Sequence, residues 1–154
     1  MDFALPPEID ALRLRVRAFV EREIMPLEDD PAAFDAHENI ALDRLEAVRA
    51  KAKAEGLWSL QAPKAMGGGG LPVIGLAACY EEMNRSIFGP VCFNSAAPDD
   101  GNIIVMAKIA TAAQQDWWLK PLVDGDVRTA FVMTEPAPGA GSDPSMMRTT
   151  ATRD

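Results

Sequence analysis

The stretch "VDGDVRTAFVMTEPAPGAGSD", residues 123–143, divides the sequence in two. Upstream, apolar residues recur at three- and four-residue spacing, the signature of helices. At Asp124-Gly125-Asp126 the pattern breaks with a turn signal. Beyond it, "VRTAFVMT" is rich in β-branched and aromatic residues and alternates, with Val127, Thr129, Phe131 and Met133 on one face. This reads as a strand entering a glycine-rich turn, so the residues alone give a mainly α chain followed by one strand and a loop. A single strand cannot satisfy its own backbone, so it requires further sheet from elsewhere. In the turn, Gly139 and Gly141 allow positive φ, while Thr134 and Ser142 supply hydroxyls that can donate and accept. Such a turn suits a phosphate or the polar edge of a heterocycle, and a plain surface turn is an equally good reading of these residues alone.

The helical part begins with a helix over residues 6–25, where proline suits the first turn, with Ile9, Leu12, Val16, Phe19, Val20 and Ile24 in one stripe. Pro26 is expected to end it. After the polar connector "LEDDPAAFDAHE", a second helix is predicted from about Glu38 to Glu55, with Leu42, Leu45, Val48 and Ala52 inward and Gly56 at the left-handed C′ position. "APKAMGGGGLP", residues 62–72, breaks the pattern because consecutive glycines are poor helix formers. A largely buried helix then runs from Pro72 to about Arg85. Residues 88–102 read as irregular, and 102–109 as a buried helix or a short strand. Thr111 with Gln114 forms a capping box for a last helix that carries Trp117 and Trp118 and stops before Pro121.

The remaining composition excludes several classes. The 154 residues are 48% hydrophobic and 25% charged, which suits a packed domain and not a disordered chain. A net charge of −8, with no basic patch, argues against nucleic-acid binding. No window offers the ~20 apolar residues of a membrane span, and "MDFALPPEID" lacks a signal peptide's basic start. Cys79 and Cys92 read as buried thiols, and the cytoplasm is the expected compartment. His37 reads as solvated, and Glu81 and Glu82 as helix-end or salt-bridge residues.

"TEPAPGAGSD" closely resembles the T-E-P-x-A-G-S-D signature of the acyl-CoA dehydrogenases. "PKAMGGGG" (63–70), "EEMNRS" (81–86), "APDDGN" (97–102) and "WWLKPLVDGDVRTAFVMTEP" (117–136) are similar to further motifs of that family, in its order. Ala137-Pro138 looks like a two-residue addition before the turn, and Lys64, Met66 and Asn84 depart from the usual residues. The resemblance implies a mainly α fold class here: an N-terminal helical bundle domain over 1–122, then over 123–154 the incomplete start of a middle β-domain, the first strand of a truncated β-domain. In complete members these two and a C-terminal helical domain together enclose FAD and an acyl-CoA thioester. The resemblance also implies α,β-desaturation, with electrons passed to an electron-transfer flavoprotein and a homo-oligomeric complete enzyme.

Carried over by position, the resemblance places Phe131 beside the flavin. Met133 and Thr134 fall at its pyrimidine edge, and Gly141 and Ser142 at the pyrophosphate, with Ser142 also near the CoA arm. The helix after Asp100-Gly101-Asn102 would line part of the acyl pocket, and Trp117 and Trp118 would pack between helices and sheet. Glu135 has a structural role in the family. The catalytic glutamate belongs to the C-terminal domain, so no residue of this chain is assigned catalysis. The chain then reads as a fragment inactive alone; a non-catalytic subunit or a helical interaction module paired with a base-carrying partner chain stays open as the alternative.

Overall fold

The computed structural model describes residues 4–153. Helix α1 (Pro7–Phe19) starts at paired prolines with Glu8 and Asp10 in its first turn, where carboxylates favour the positive end of the helix dipole. It does not stop at Pro26. A π-helical turn (Val20–Ile24) carries it into α2 (Met25–Glu28), with Pro26 in the first turn of the new segment. The physical reason is local: an α-helical proline clashes with the carbonyl one turn back and lacks the N–H that would bond it. The wider π turn shifts the bonding to five residues back, as in the Met25 N–H donating to the Val20 carbonyl. The same device recurs near the end of the domain. After α7 (Ala112–Gln114), a π turn over Gln115–Leu119 leads into α8 (Lys120–Asp124), so the expected stop before Pro121 is also bypassed.

Helix α3 (Leu42–Ala54) begins four residues later than its expected start at Glu38, which instead has φ 61° in a turn closed by an isolated bridge between Phe34 and Ile40. Leu45, Val48 and Ala52 are buried as expected, but Leu42 is exposed. The C-terminus follows its sequence signal. Gly56 has φ 68°, its N–H donates to the Lys53 carbonyl, and the Leu57 N–H reaches the Ala52 carbonyl at 2.9 Å while the Leu57 side chain is buried. Helix α4 (Val73–Met83) packs along α1, and a Cβ added at Gly75 would stand 3.3 Å from the tip of Ile9, so glycine permits this approach. Across the same seam Arg13 and Arg17 donate to the buried Glu82 at 2.6–2.8 Å. Arg17 first, then Arg13, holds the Glu82 carboxyl below its usual range, against the opposing effect of burial.

Two apolar clusters form the core. The larger joins α1, α3, α4 and the short helix α5 (Gly89–Cys92), with Phe19 and Phe93 in ring contact at 5.3 Å. The smaller joins Ala62 to Ile103 of α6 (Asp99–Ile109) and to Leu119, Leu122 and Val123. Residues 102–109 are thus helical, and that helix begins earlier than expected, at Asp99. The Thr111–Gln114 capping box is present in both directions. Cys79 and Cys92 are free and buried, and burial pushes their thiols up to about 11 and about 12.

The expected strand is absent. Residues 127–134 form no strand, and among the described residues there are only the isolated bridges Phe34–Ile40 and Glu135–Gly141. The first strand of a β-domain is therefore corrected to an unpaired segment. Alternation of side chains gives a segment a face; it does not give it a second edge, and ladder hydrogen bonds need both. Without a partner, Phe131 remains 68% and Val132 87% exposed.

Candidate functional site

The polypeptide leaves the bundle in a fixed direction because the last carbonyls of α8 are satisfied by side chains. Such carbonyls have no partner inside their own helix. The Trp58 indole N–H and the Ser59 hydroxyl donate to the Val123 carbonyl at 2.7 and 3.0 Å, and Asn94 donates to the Leu122 carbonyl at 3.0 Å. Lys53 reaches the Asp124 carbonyl at 2.7 Å while its ammonium lies 4.6 Å from the Trp58 ring centre. Gly125, at φ 81°, then turns the chain; a Cβ there would meet the Trp58 ring at 2.6 Å.

The next residues lie against the start of α6. Asp99, 2% exposed, accepts the Thr129 N–H at 2.8 Å and the Thr129 hydroxyl at 2.7 Å, and pairs through its other oxygen with the Arg128 guanidinium. Asn102 donates to the Thr129 hydroxyl at 2.9 Å. Beside this contact is an apolar groove of about 540 Å³ walled by Asn102, Val105 and Met106 of α6, by Trp118, and by residues 127–130. The sequence pointed to the Asp99-Asp100-Gly101-Asn102 run only through its motif. That Asp99 anchors the outgoing segment was not legible, because its partner lies about thirty residues away in sequence.

The turn beyond is organised by Glu135. Its N–H donates to the Gly141 carbonyl at 2.9 Å, and its carboxylate accepts the N–H groups of Ala140, Arg148 and Thr149 at 2.6–3.1 Å together with the Thr149 hydroxyl. These bonds, led by that from Ala140, hold its carboxyl down at about 2. A base that is already saturated with donors and so weakly basic is unsuited to taking a proton near neutral pH. Asp143 accepts the Ser145 N–H and hydroxyl in a separate short turn.

The residues expected at the flavin are all on this arm, and the arm is open. Phe131, Thr134 and Ser142 are exposed, and Met133 and Gly141 are half-buried. Gly141 has φ 61°, with no atom within 4 Å of where a Cβ would stand. Thr134 and Ser142 carry hydroxyls without a partner among the described residues. Trp117 and Trp118, expected to pack against a sheet, instead touch each other edge-on at 6.2 Å and are 72% and 58% exposed. His37 is exposed in its connector. No group of histidine, cysteine or carboxylate side chains suited to a metal occurs among the described residues, and no helix there is long and apolar enough to cross a membrane.

Comparison with known proteins gives this geometry a family. The family described as "Acyl-CoA dehydrogenase, N-terminal domain" matches residues 6–126. The chain is 34% identical over 146 residues to the rat protein "Acyl-CoA dehydrogenase family member 11", covering 91% of this chain and 18% of that protein. It is 35% identical over 159 residues to "Probable acyl-CoA dehydrogenase FadE2" of Mycobacterium tuberculosis, covering 100% of this chain and 38% of the relative. A solved "putative acyl-CoA dehydrogenase from Mycobacterium abscessus" superposes with a TM-score of 0.81 at 37% identity, over 93% of this chain and 38% of that one. The chain thus spans well under half the length of these relatives, and the family match covers its helical domain. It belongs to the acyl-CoA dehydrogenase family.

Proposed function

We propose that this chain supplies the helical domain and one side of the flavin site of an FAD-dependent enzyme that introduces an α,β double bond into an acyl-CoA thioester. The observation that carries this reading is the continuity of two features: a family-matched bundle over residues 6–126, and directly after it a turn with exposed Thr134 and Ser142 hydroxyls and an uncrowded Gly141. These residues fit the group expected there. Phe131 offers a flat apolar surface for one side of a fused ring, and Thr134 can donate to or accept from a pyrimidine edge. The positive-φ glycine lets a pyrophosphate approach the backbone. FAD, when bound, supplies the acceptor for the substrate's β-hydride, and the protein contributes binding and alignment.

The groove beside α6 is the part of this chain that suits an acyl group, with Val105, Met106 and Trp118 along it and polar residues at one rim. In this reading the Ser142 hydroxyl also serves the CoA arm. Glu135 is committed to holding the turn, so the base that takes the α-proton belongs to another part of the enzyme, as does the remainder of the flavin site. An electron-transfer flavoprotein is the electron acceptor this reading calls for, a homo-oligomer the assembly, and the cytoplasm the compartment.

The test is a titration with FAD, followed by flavin fluorescence, on the enzyme that carries this chain as its N-terminal part. Thr134→Ala removes one hydrogen-bonding group worth about 1 kcal/mol, so FAD affinity falls about fivefold. The 154-residue chain alone should bind FAD weakly or not at all in the same titration. An FAD affinity and a rate of flavin reduction by acyl-CoA that are both untouched by Thr134→Ala and by Ser142→Ala would remove these residues from the flavin site.

A further inference from the structure

Residues 127–134 have no ladder to define their register, yet Arg128 and Thr129 are hydrogen-bonded to the start of α6. We infer that Asp99, Asn102 and Thr129 form a clamp that sets the register of this segment on α6, so that one polar node positions both the flavin-facing arm and the wall of the apolar groove. Asp99 and Asn102 are positioning residues in this account: they act through Thr129.

The chemistry makes the clamp selective. The Thr129 hydroxyl donates to Asp99 at 2.7 Å and accepts from Asn102 at 2.9 Å, so both of its hydrogen-bonding senses are used at once. Its N–H donates to the same Asp99 oxygen at 2.8 Å. A slip of one residue would bring Arg128 or Ala130 to this place. Neither side chain can both donate to a carboxylate and accept from an amide, and a one-residue slip also turns every following side chain to the opposite face. The neighbouring Arg128 adds a direction, since its guanidinium pairs with the second Asp99 oxygen. Asp99 is 2% exposed, and a buried carboxylate left without donors is costly, so leaving the clamp is unfavourable for the helix as well as for the segment.

Position explains why this node matters. Phe131 and Met133 follow Thr129 at the two-residue spacing of an extended segment, and Thr134 comes directly after, so fixing Thr129 fixes the direction in which the arm is presented. Asn102 and residues 127–130 also wall the groove, so the same contacts that hold the arm hold the groove closed on that side. The value of that alignment to catalysis rests on the flavin reading above; the existence of the clamp does not.

The experiment uses the 154-residue chain and backbone amide relaxation by NMR. Wild-type residues 128–130 should show order parameters near the rigid-backbone value of about 0.85. Thr129→Val keeps shape and leaves α6 intact but removes the hydroxyl, and it should bring these residues below about 0.6 while amides of α1, α3 and α4 keep their values. Thr129→Ser should restore them, and Asp99→Ala should reproduce the loss. Order retained in Thr129→Val, or order lost equally in all helices, would overturn the clamp. The FAD titration is read separately: a rigid, Thr129-dependent segment with FAD affinity indifferent to Thr134 leaves the clamp standing and removes the flavin reading instead.

Discussion

The bundle from α1 to α8 and the arm from 127 to 143 are made of the same kinds of residue and are held by different physics. In the bundle, Phe19, Ile24 and Phe93 are fully buried in one apolar cluster and Leu122 in the other, each cluster joining elements distant in sequence. In the arm, Phe131 and Val132 are as apolar but face solvent, and a few polar contacts at Asp99 and Glu135 define the path. The difference teaches that hydrophobicity becomes structure only where a second surface is available to exclude water. The bundle contains both of its surfaces. The arm contains one.

The contrast can be broken most strongly from the bundle side. Phe19→Ala removes a fully buried ring in contact with Phe93, and should cost about 4 kcal/mol in urea unfolding, through lost burial and the cavity left behind. A loss below about 1 kcal/mol would mean that the bundle is not packed around this pair.

A smaller effect should come from the polar seam, and it should depend on pH. The Glu82 carboxyl is held below its usual range by Arg17 and Arg13. A carboxyl with a lowered folded pKa adds stability above its unfolded value, near about 4.3, and loses it as pH falls through the folded value. Glu82→Gln should therefore be less stable than wild type at neutral pH, with the two unfolding midpoints converging as pH falls below about 4. Parallel midpoints across that range would show that the ion cluster contributes nothing to the α1–α4 seam.

The smallest effect belongs to the exposed surface of the bundle. Trp117→Ser alters a large but 72% exposed ring and should shift stability by no more than about 0.5 kcal/mol. A loss like that of Phe19→Ala would place Trp117 in the packed class and erase the contrast between the two regions.

Much of the bundle was legible because its signals are local. Gly56 ending α3, the Thr111–Gln114 box opening α7, and the turn at Gly125 each follow from residues within a few positions of one another. The misses were of another kind. Pro26 and Pro121 read as stops, because proline ends an α-helix; the π turns that carry each helix onward place the missing N–H where the ladder does not need it. Leu42 read as inward from periodicity alone, but the helix starts where Leu42 has no neighbour to cover it. In the candidate site the residue types of the arm were legible from "TEPAPGAGSD", whereas Asp99 gained its meaning only from Arg128 and Thr129, which folding brings to it.

The sequence by itself determined the long helices α1, α3 and α4, the caps at Gly56 and Thr111, most of the apolar positions that face the core, and the family that the ordered motifs resemble. These depend on interactions within a turn or two of chain, and such interactions are written in spacing. Only the tertiary structure decided that the alternating run at 127–134 would be an arm rather than a strand, and that a buried aspartate would hold it. Strand pairing and the satisfaction of a buried charge are settled between distant groups: the strand needed a second edge, and the aspartate found its donors.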